Sequence, residues 1–247
     1  MIISHKHKFI FLKSKKTAGT SIEIYLSRFC GEDDVITPIS PRDEAQRRQF
    51  GIKPQNYTEP WNSREFYWEI RQSLRDRRLP AIKKVTFSQH ASASLVKEKV
   101  GRQIWESYFK FCFVRNPWDR VISRYYWDRA VERKNVVNLL DESLHLSDPA
   151  ENLKYYLIDE ELALDYVGKF ETLADDLEII CNKINIPFTD DIPRTKTNVR
   201  KDKRHYSQIL TPQQASYIES RCRQEIDLFG YKYQDCALDN SNSGIPV

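Results

Sequence analysis

Apolar residues recur along the chain in two alternating periods. Residues 8–12 (KFIFL) read as a short buried strand, and from Gly19 onward Ile22, Tyr25, Leu26 and Phe29 follow at the i, i+3, i+4, i+7 spacing of one helix face. Residues 82–87 are expected to form a second strand, leading through Ser88, Gln89 and His90 into a helix with Leu95, Val96 and Val100. Residues 109–114 (FKFCFV) read as a third strand, after which Asn116 and Pro117 suit the N-cap and first position of a helix carrying Val121, Ile122 and Tyr125. One more strand is expected at 166–170, followed by an amphipathic helix through Leu173, Leu177, Ile180, Cys181 and Ile184 and a last helix capped by Thr211 with Pro212 at its first position. Strands alternating with helices predict an α/β fold with a largely parallel sheet covered on both faces.

Between about 31 and 80 the pattern weakens. Prolines at 38, 41, 54 and 60 interrupt it, and only 63–78 reads as helix. The expectation is one domain over 1–247, with an insertion at about 31–80 and a basic loop at about 187–206 near the C-terminus.

Composition narrows the function classes. At 40% hydrophobic and 12% aromatic, the 247 residues carry enough apolar surface to offset chain entropy, which excludes a disordered or collagen-like chain. No run approaches the roughly 18 apolar residues of a membrane span. The N-terminus alternates charge with apolar residues where a signal peptide has a long apolar stretch, so a soluble cytoplasmic protein is expected. Cys30, Cys112, Cys181, Cys222 and Cys236 are odd in number and form no C-x-x-C pair, which fits a reducing compartment. The net charge is only +4, yet basic residues cluster, which favours a local anion site and argues against a nucleic-acid partner.

The segment KSKKTAGTS, residues 13–21, joins the first strand to the first helix, where backbone N–H groups and the helix dipole favour an anion. With only seven glycines in the chain, Gly19 at this turn is informative: it lets backbone approach closely, while Thr20 and Ser21 add hydroxyls and Lys15 and Lys16 add charge. The Walker A pattern is absent, since no glycine stands five residues before Gly19 and no lysine follows it. RNPWDR, residues 115–120, leaves the third strand at the edge where open α/β sheets bind ligands. Arg115 there, with Ser123 eight residues on, makes a clamp for a second phosphate. An ordinary capped turn competes as a reading of the first loop, and an Arg115–Asp119 pair beside a packing serine competes for the second.

Together KKTAGTS and FVRNPWDRVIS resemble the 5′-phosphosulfate and 3′-phosphate loops of sulfotransferases that use 3′-phosphoadenosine 5′-phosphosulfate (PAPS). The likeness is to the branch that includes the 2-O-sulfotransferases of heparan and dermatan and bacterial homologues. It is sharp at these motifs, weaker at 88–93, 168–173 and 226–231, and lost between about 31 and 80. The resemblance implies a P-loop-like three-layer fold, with Lys16 on the oxygen that bridges sulfur to the 5′-phosphate and Thr17, Ala18, Gly19, Thr20 and Ser21 around that phosphate. It implies Arg115 and Ser123 on the 3′-phosphate. The family usually has Pro where this chain has Lys15, so Lys15 and Lys16 both stand as candidates for the essential cation.

Sulfuryl transfer places one negative charge on the moving group, so it asks for positioning and a cation at the leaving oxygen, with no metal required. A general base must take the acceptor proton, and histidine suits that task near neutral pH. His90 is the candidate: its Ser-Gln-His-Ala setting resembles the base of the 2-O branch, against a competing role as a helix-capping or core histidine. His145 lies in a variable stretch and His205 in the basic loop, while His5 and His7 are expected to be solvent-exposed and not a metal pair. Of the basic residues Arg194, Lys196, Arg200, Lys201, Lys203 and Arg204, Arg204 is chosen to close over the nucleotide. Aromatic residues at 57–68 either shape an acceptor pocket or lid or pack an inserted helix. The reading is a PAPS-dependent sulfotransferase acting on a hydroxyl of a carbohydrate or small-molecule natural product. A P-loop kinase and a non-catalytic nucleotide-binding module are the alternatives.

Overall fold

A computed structural model of the protein describes residues 1–60, 62–81, 83–131, 144, 148–195 and 199–234. Ile82, His145, Lys196 and Cys236 lie outside the described residues. In chain order the strands are β1 (Ile2–Ser4), β2 (Phe9–Phe11), β3 (Val35–Ile36), β4 (Thr58–Glu59), β5 (Lys84–Val85), β6 (Phe109–Val114), β7 (Leu157–Ile158), β8 (Glu161–Leu162) and β9 (Tyr166–Lys169). The helices are α1 (Gly19–Ser27), α2 (Pro41–Arg48), α3 (Ser63–Arg75), α4 (Ala93–Ser107), α5 (Pro117–Val131), α6 (Leu173–Lys183), α7 (Pro212–Arg221) and α8 (Arg223–Phe229).

The main sheet has the order β3-β1-β2-β6-β9. β2, β6 and β9 are parallel neighbours, and β1 runs against both β2 and β3. The sheet is therefore mixed, with four strands in one sense and β1 reversed, a qualification of the largely parallel sheet expected. The reversal arises because residues 2–4, part of the charge-and-apolar alternation at the N-terminus, pair back on β2 across a tight turn in which Lys8 is left-handed (φ 53°). His5 and His7 sit in that turn, half-buried, with His5 Nδ1 2.8 Å from the Tyr108 hydroxyl and His7 Nε2 3.2 Å from the Phe29 carbonyl; the expectation of two solvated histidines is corrected.

Alternation along β2 and β6 fills both faces of the sheet. Phe9, Phe11, Phe111 and Phe113 join Ile22, Tyr25 and Leu26 of α1 and Leu177, Ile180 and Cys181 of α6 in one core. Ile10, Leu12, Cys112 and Val114 join Val96 of α4 and Tyr155 and Tyr156 in the other. Strands buried on both faces read as continuous apolar runs, which is why these two stand out in the sequence. A third cluster around Trp118 of α5, Tyr206 and Ile218 of α7 holds the C-terminal helices, fixed by the Trp118 indole donating to the Ala215 carbonyl at 3.0 Å and by the buried Arg120–Glu225 pair at 2.5 Å.

The strand expected at 82–87 is shorter and lies elsewhere. β5 pairs only with β4 in a separate two-stranded ribbon, and Lys84 and Val85 are too exposed for a central strand. Within the stretch at 31–80, β3 pairs with β1 at the edge of the main sheet, and α2 starts at Pro41 with Ser40 as its N-cap.

At Gly168 in β9 an added Cβ would lie 2.6 Å from the ring of Phe113, which is fully buried. The close approach of β9 to β6 depends on that missing carbon. Gly168→Ala should cost roughly 1–3 kcal/mol, read as a lower midpoint in urea; an unchanged midpoint would refute the packing argument.

Candidate active site

The two loops singled out in the sequence leave the adjacent parallel strands β2 and β6 at their C-terminal ends, so the sheet itself brings them together. Two hydrogen bonds tie them directly. Ser14 Oγ donates to the Phe113 carbonyl at 2.5 Å, and Arg115 Nη1 donates to the Lys16 carbonyl at 3.2 Å.

The first loop is held in a strained form. Lys16 (φ 65°) and Ala18 (φ 60°) are both left-handed without being glycine. Such residues cost on the order of 1 kcal/mol or more each and cluster at functional sites. Alternation of left- and right-handed residues turns successive N–H groups toward one side, the concave arrangement that takes anions. Ala18 is the N-cap of α1 and makes no side-chain cap, so no side chain at that position covers the first-turn N–H groups. Gly19 answers a different need from the one its place in the loop suggests. Its own φ is ordinary, but a Cβ there would sit 2.7 Å from Cγ of Lys13, whose stem runs against the helix.

Lys13 is buried with its charge. Its ammonium lies 2.7 Å from Glu23 Oε2 and 3.2 Å from Gln89 Oε1. Glu23 also meets Arg47 at 3.1 Å, the Met1 amino group at 3.0 Å and the Thr37 hydroxyl at 3.0 Å. Burial alone would raise the Glu23 carboxyl, but Lys13, the Met1 amino group and Arg47 overcome it and hold the group at about 2.

The neighbouring lysines have different surroundings. Lys15 is clamped by the turn at Pro149–Tyr155: Asn152 accepts from its amide (3.1 Å) and donates to its carbonyl (2.9 Å), and Glu151 pairs with its ammonium at 2.6 Å. Lys16 instead places its ammonium 4.6 Å from the centre of the Trp127 ring on α5. A small cleft beside both lysines is lined also by Arg124, Glu151, Asn152 and Leu144.

In the second loop Asn116 caps α5, accepting from the amides of Trp118 and Asp119 at 3.1 and 3.2 Å. The Arg115 guanidinium lies over Phe170 (4.0 Å to the ring centre) and binds Asp119 through Nε at 2.8 Å and Nη2 at 2.5 Å. Asp119 in turn takes Arg200 Nη1 at 2.5 Å. Burial opposes ionisation here, but the two guanidiniums keep the Asp119 carboxyl below its ordinary range. Ser123 is half-buried, and its hydroxyl has no partner among the described residues. Asp119, Ser123 and Trp127 follow at i, i+4 and i+8 of α5, so Ser123 lies between the Arg115 contact and the Lys16 contact on one helix face.

His90 is anchored by the same loop. Its Nδ1 lies 2.8 Å from the Lys13 carbonyl, which can only accept, so Nδ1 carries the proton and Nε2 presents a lone pair. Burial, with the Lys13 ammonium beside it, pushes the ring down to about 3, so it is neutral at physiological pH.

The structure thus gathers Lys15, Lys16, Thr17, Ala18, Gly19, Thr20, Ser21, Arg115, Ser123 and His90 around one sheet edge. Arg204 does not join them: its guanidinium is largely exposed and paired with Asp202 at 2.7 Å. Among the described basic residues of that loop, Arg200 reaches the second loop, and no feature of the sequence separates it from its five basic neighbours. Thr195 also arrives from that loop, its hydroxyl 3.0 Å from Ser21 Oγ. Trp127 was not singled out in the sequence, where its i+4 spacing from Ser123 was the signal available.

An uncharacterised protein of Archaeoglobus fulgidus is 29% identical over 103 residues, 38% of this chain and 82% of that protein. A crystal structure of a sulfotransferase from Alicyclobacillus acidocaldarius aligns over 92% of this chain and 96% of its own, at 17% identity and a TM-score of 0.43. The sulfotransferase family profile matches residues 1–155, more than half of the chain, and takes in both loops, His90 and the Asn152 clamp. The chain belongs to the sulfotransferase family.

Proposed function

We propose that the protein transfers the sulfuryl group of PAPS to a hydroxyl of a carbohydrate or small-molecule natural product, as in the 2-O branch its motifs resemble. The observation that carries this is the hydrogen bond from Arg115 to the Lys16 carbonyl, which fastens two cationic loops of adjacent strands side by side. Family membership supports the class of reaction, and the loops support the donor.

The residues present fit a doubly phosphorylated nucleotide. The strained turn at Lys16 and Ala18 offers amides for a 5′-phosphate, and Arg115 with the half-buried Ser123 hydroxyl offers a second anion site. Arg115 and Arg200 against Asp119 leave one positive charge there. PAPS, when bound, supplies an electrophilic sulfur and a phosphate oxygen on which negative charge grows as the bond breaks. Lys16 stabilises that charge, with Trp127 holding its ammonium in place. His90 takes the acceptor proton at Nε2 while the Lys13 carbonyl keeps the tautomer fixed.

Three outcomes follow in assays of the purified protein. Lys16→Ala should lower kcat about 10²- to 10³-fold, and His90→Ala by about 10²- to 10⁴-fold with nucleotide binding kept; wild-type turnover in either variant would remove that residue from the mechanism. Arg115→Ala should weaken 3′-phosphoadenosine 5′-phosphate by about 10- to 100-fold while sparing adenosine 5′-monophosphate, measured by calorimetry; equal losses would refute the 3′ assignment. The low pKa of His90 also has a stability signature. Below its ordinary 6.5 the unfolded chain takes up a proton that the folded chain refuses until about 3, so stability should fall as pH drops through that window. His90→Gln should flatten the urea midpoint between pH 6.5 and about 5, above the carboxylate range, and a slope identical to wild type would contradict the buried neutral ring.

A further inference from the structure

Helix α3 is turned inside out. Successive helical residues rotate by about 100°, so Glu65, Glu69 and Ser73 share one line and Tyr67, Trp68, Arg71 and Leu74 occupy the opposite arc. The line that faces the protein is the polar one. Ser73 is 1% exposed and its hydroxyl donates to Glu69 Oε1 at 3.1 Å. Glu69 also takes Arg78 Nη1 at 2.6 Å and the Ala81 amide at 2.9 Å, and Glu65 takes Lys84 Nζ at 2.6 Å. Outward, Trp68 is 57% exposed, Leu74 74%, and Leu79, just past the helix, 90%. Single exposed apolar residues are ordinary; a helix that turns Glu69 and Ser73 inward and presents Tyr67, Trp68 and Leu74 outward leaves a face for a partner. The face has a firm base, because Tyr57 and Phe87 at the ends of the β4–β5 ribbon pack into the main core.

Charge identifies the partner. Arg64, Arg71 and Arg75 share the outward arc with the apolar residues, and Arg77 follows in the next turn. Arg71 lies over the rings of both Tyr67 (5.8 Å) and Trp68 (5.6 Å). One outward acid, Asp76, answers them, 3.2 Å from Arg75. The carboxylates that would neutralise this face are the ones turned inward. A surface at once apolar and cationic complements one at once apolar and anionic, which is an anionic lipid leaflet. A two-fold contact with a second copy of the chain would set these arginines against each other. Among the described residues no helix is long and apolar enough to cross a membrane, so contact would be in the plane of the surface.

We propose that α3 and the turn after it dock the protein on an anionic membrane surface, with Tyr67, Trp68, Leu74 and Leu79 entering the headgroup region and the arginines meeting lipid phosphates. The test is cosedimentation of the full chain with vesicles of phosphatidylcholine alone or mixed equally with phosphatidylglycerol. Binding is expected to the mixed vesicles only and to weaken as salt is raised. It should fall about tenfold or more in Arg71→Glu/Arg75→Glu, and comparably in Trp68→Ser/Leu74→Ser, with the thermal midpoint of both variants kept. No binding to mixed vesicles would overturn the proposal. So would equal binding by wild type and both variants, which would move the contact to another basic surface, or a solution dimer that Trp68→Ser/Leu74→Ser dissociates. None of these readouts depends on the donor assignment.

Discussion

A lysine buried together with its charge organises the site. The stem of Lys13 fills the space that any side chain at residue 19 would need, its ammonium neutralises Glu23 inside α1, and its carbonyl fixes the tautomer of His90. Burying a charge pair is expensive, and attraction repays the cost only when every remaining polar atom is met. Here Gln89 meets the Lys13 ammonium, and Arg47 and Thr37 meet the Glu23 carboxylate, while Arg47 Nε has no hydrogen-bond partner among the described residues. One residue therefore couples the end of β2, the start of α1 and the residue proposed as base, the first two through its side chain and the last through its backbone carbonyl.

The same coupling recurs around the loops. Asn152 grips both backbone groups of Lys15, so the turn that precedes the left-handed Lys16 is held from outside by a residue far along the chain. Arg115 reaches back to the Lys16 carbonyl, and Glu171 accepts from the Asn116 amide at 2.7 Å, so the segment after β9 supports the loop after β6. Backbone strain at Lys16 and Ala18 persists because its surroundings over-determine it. Rigid support of this kind suits a reaction whose catalysis rests on placing charge, since a preorganised cation spends nothing on reorganisation when negative charge appears.

Much of the frame was legible in the sequence, for identifiable reasons. β2, β6 and β9 with α1, α5 and α6 carry strong apolar periods, and α5 and α7 announce their starts through Asn116-Pro117 and Thr211-Pro212, with Thr211 completing a capping box. β1 escaped notice because three residues are too few to show a period, and β5 was misassigned because its exposed pair satisfies a two-stranded ribbon as readily as a sheet. At the site, both anion loops and His90 followed from local motifs. The partners that define their chemistry did not: Glu151 and Asn152 meet Lys15 from more than a hundred residues away, and Arg200, not Arg204, completes the pair on Asp119. Such contacts come from tertiary folding, and a basic run carries no mark of which member turns inward.

The claim on which the account stands is that one nucleotide spans both loops, its 5′-phosphate on the amides of residues 17–21 and its 3′-phosphate against Arg115 and Ser123. A crystal structure of the protein with 3′-phosphoadenosine 5′-phosphate tests this most directly. The account predicts density bridging the ends of β2 and β6, with Arg115 turned from Asp119 toward the 3′-phosphate. Nucleotide bound away from that edge, or gripped by one loop alone, would contradict it.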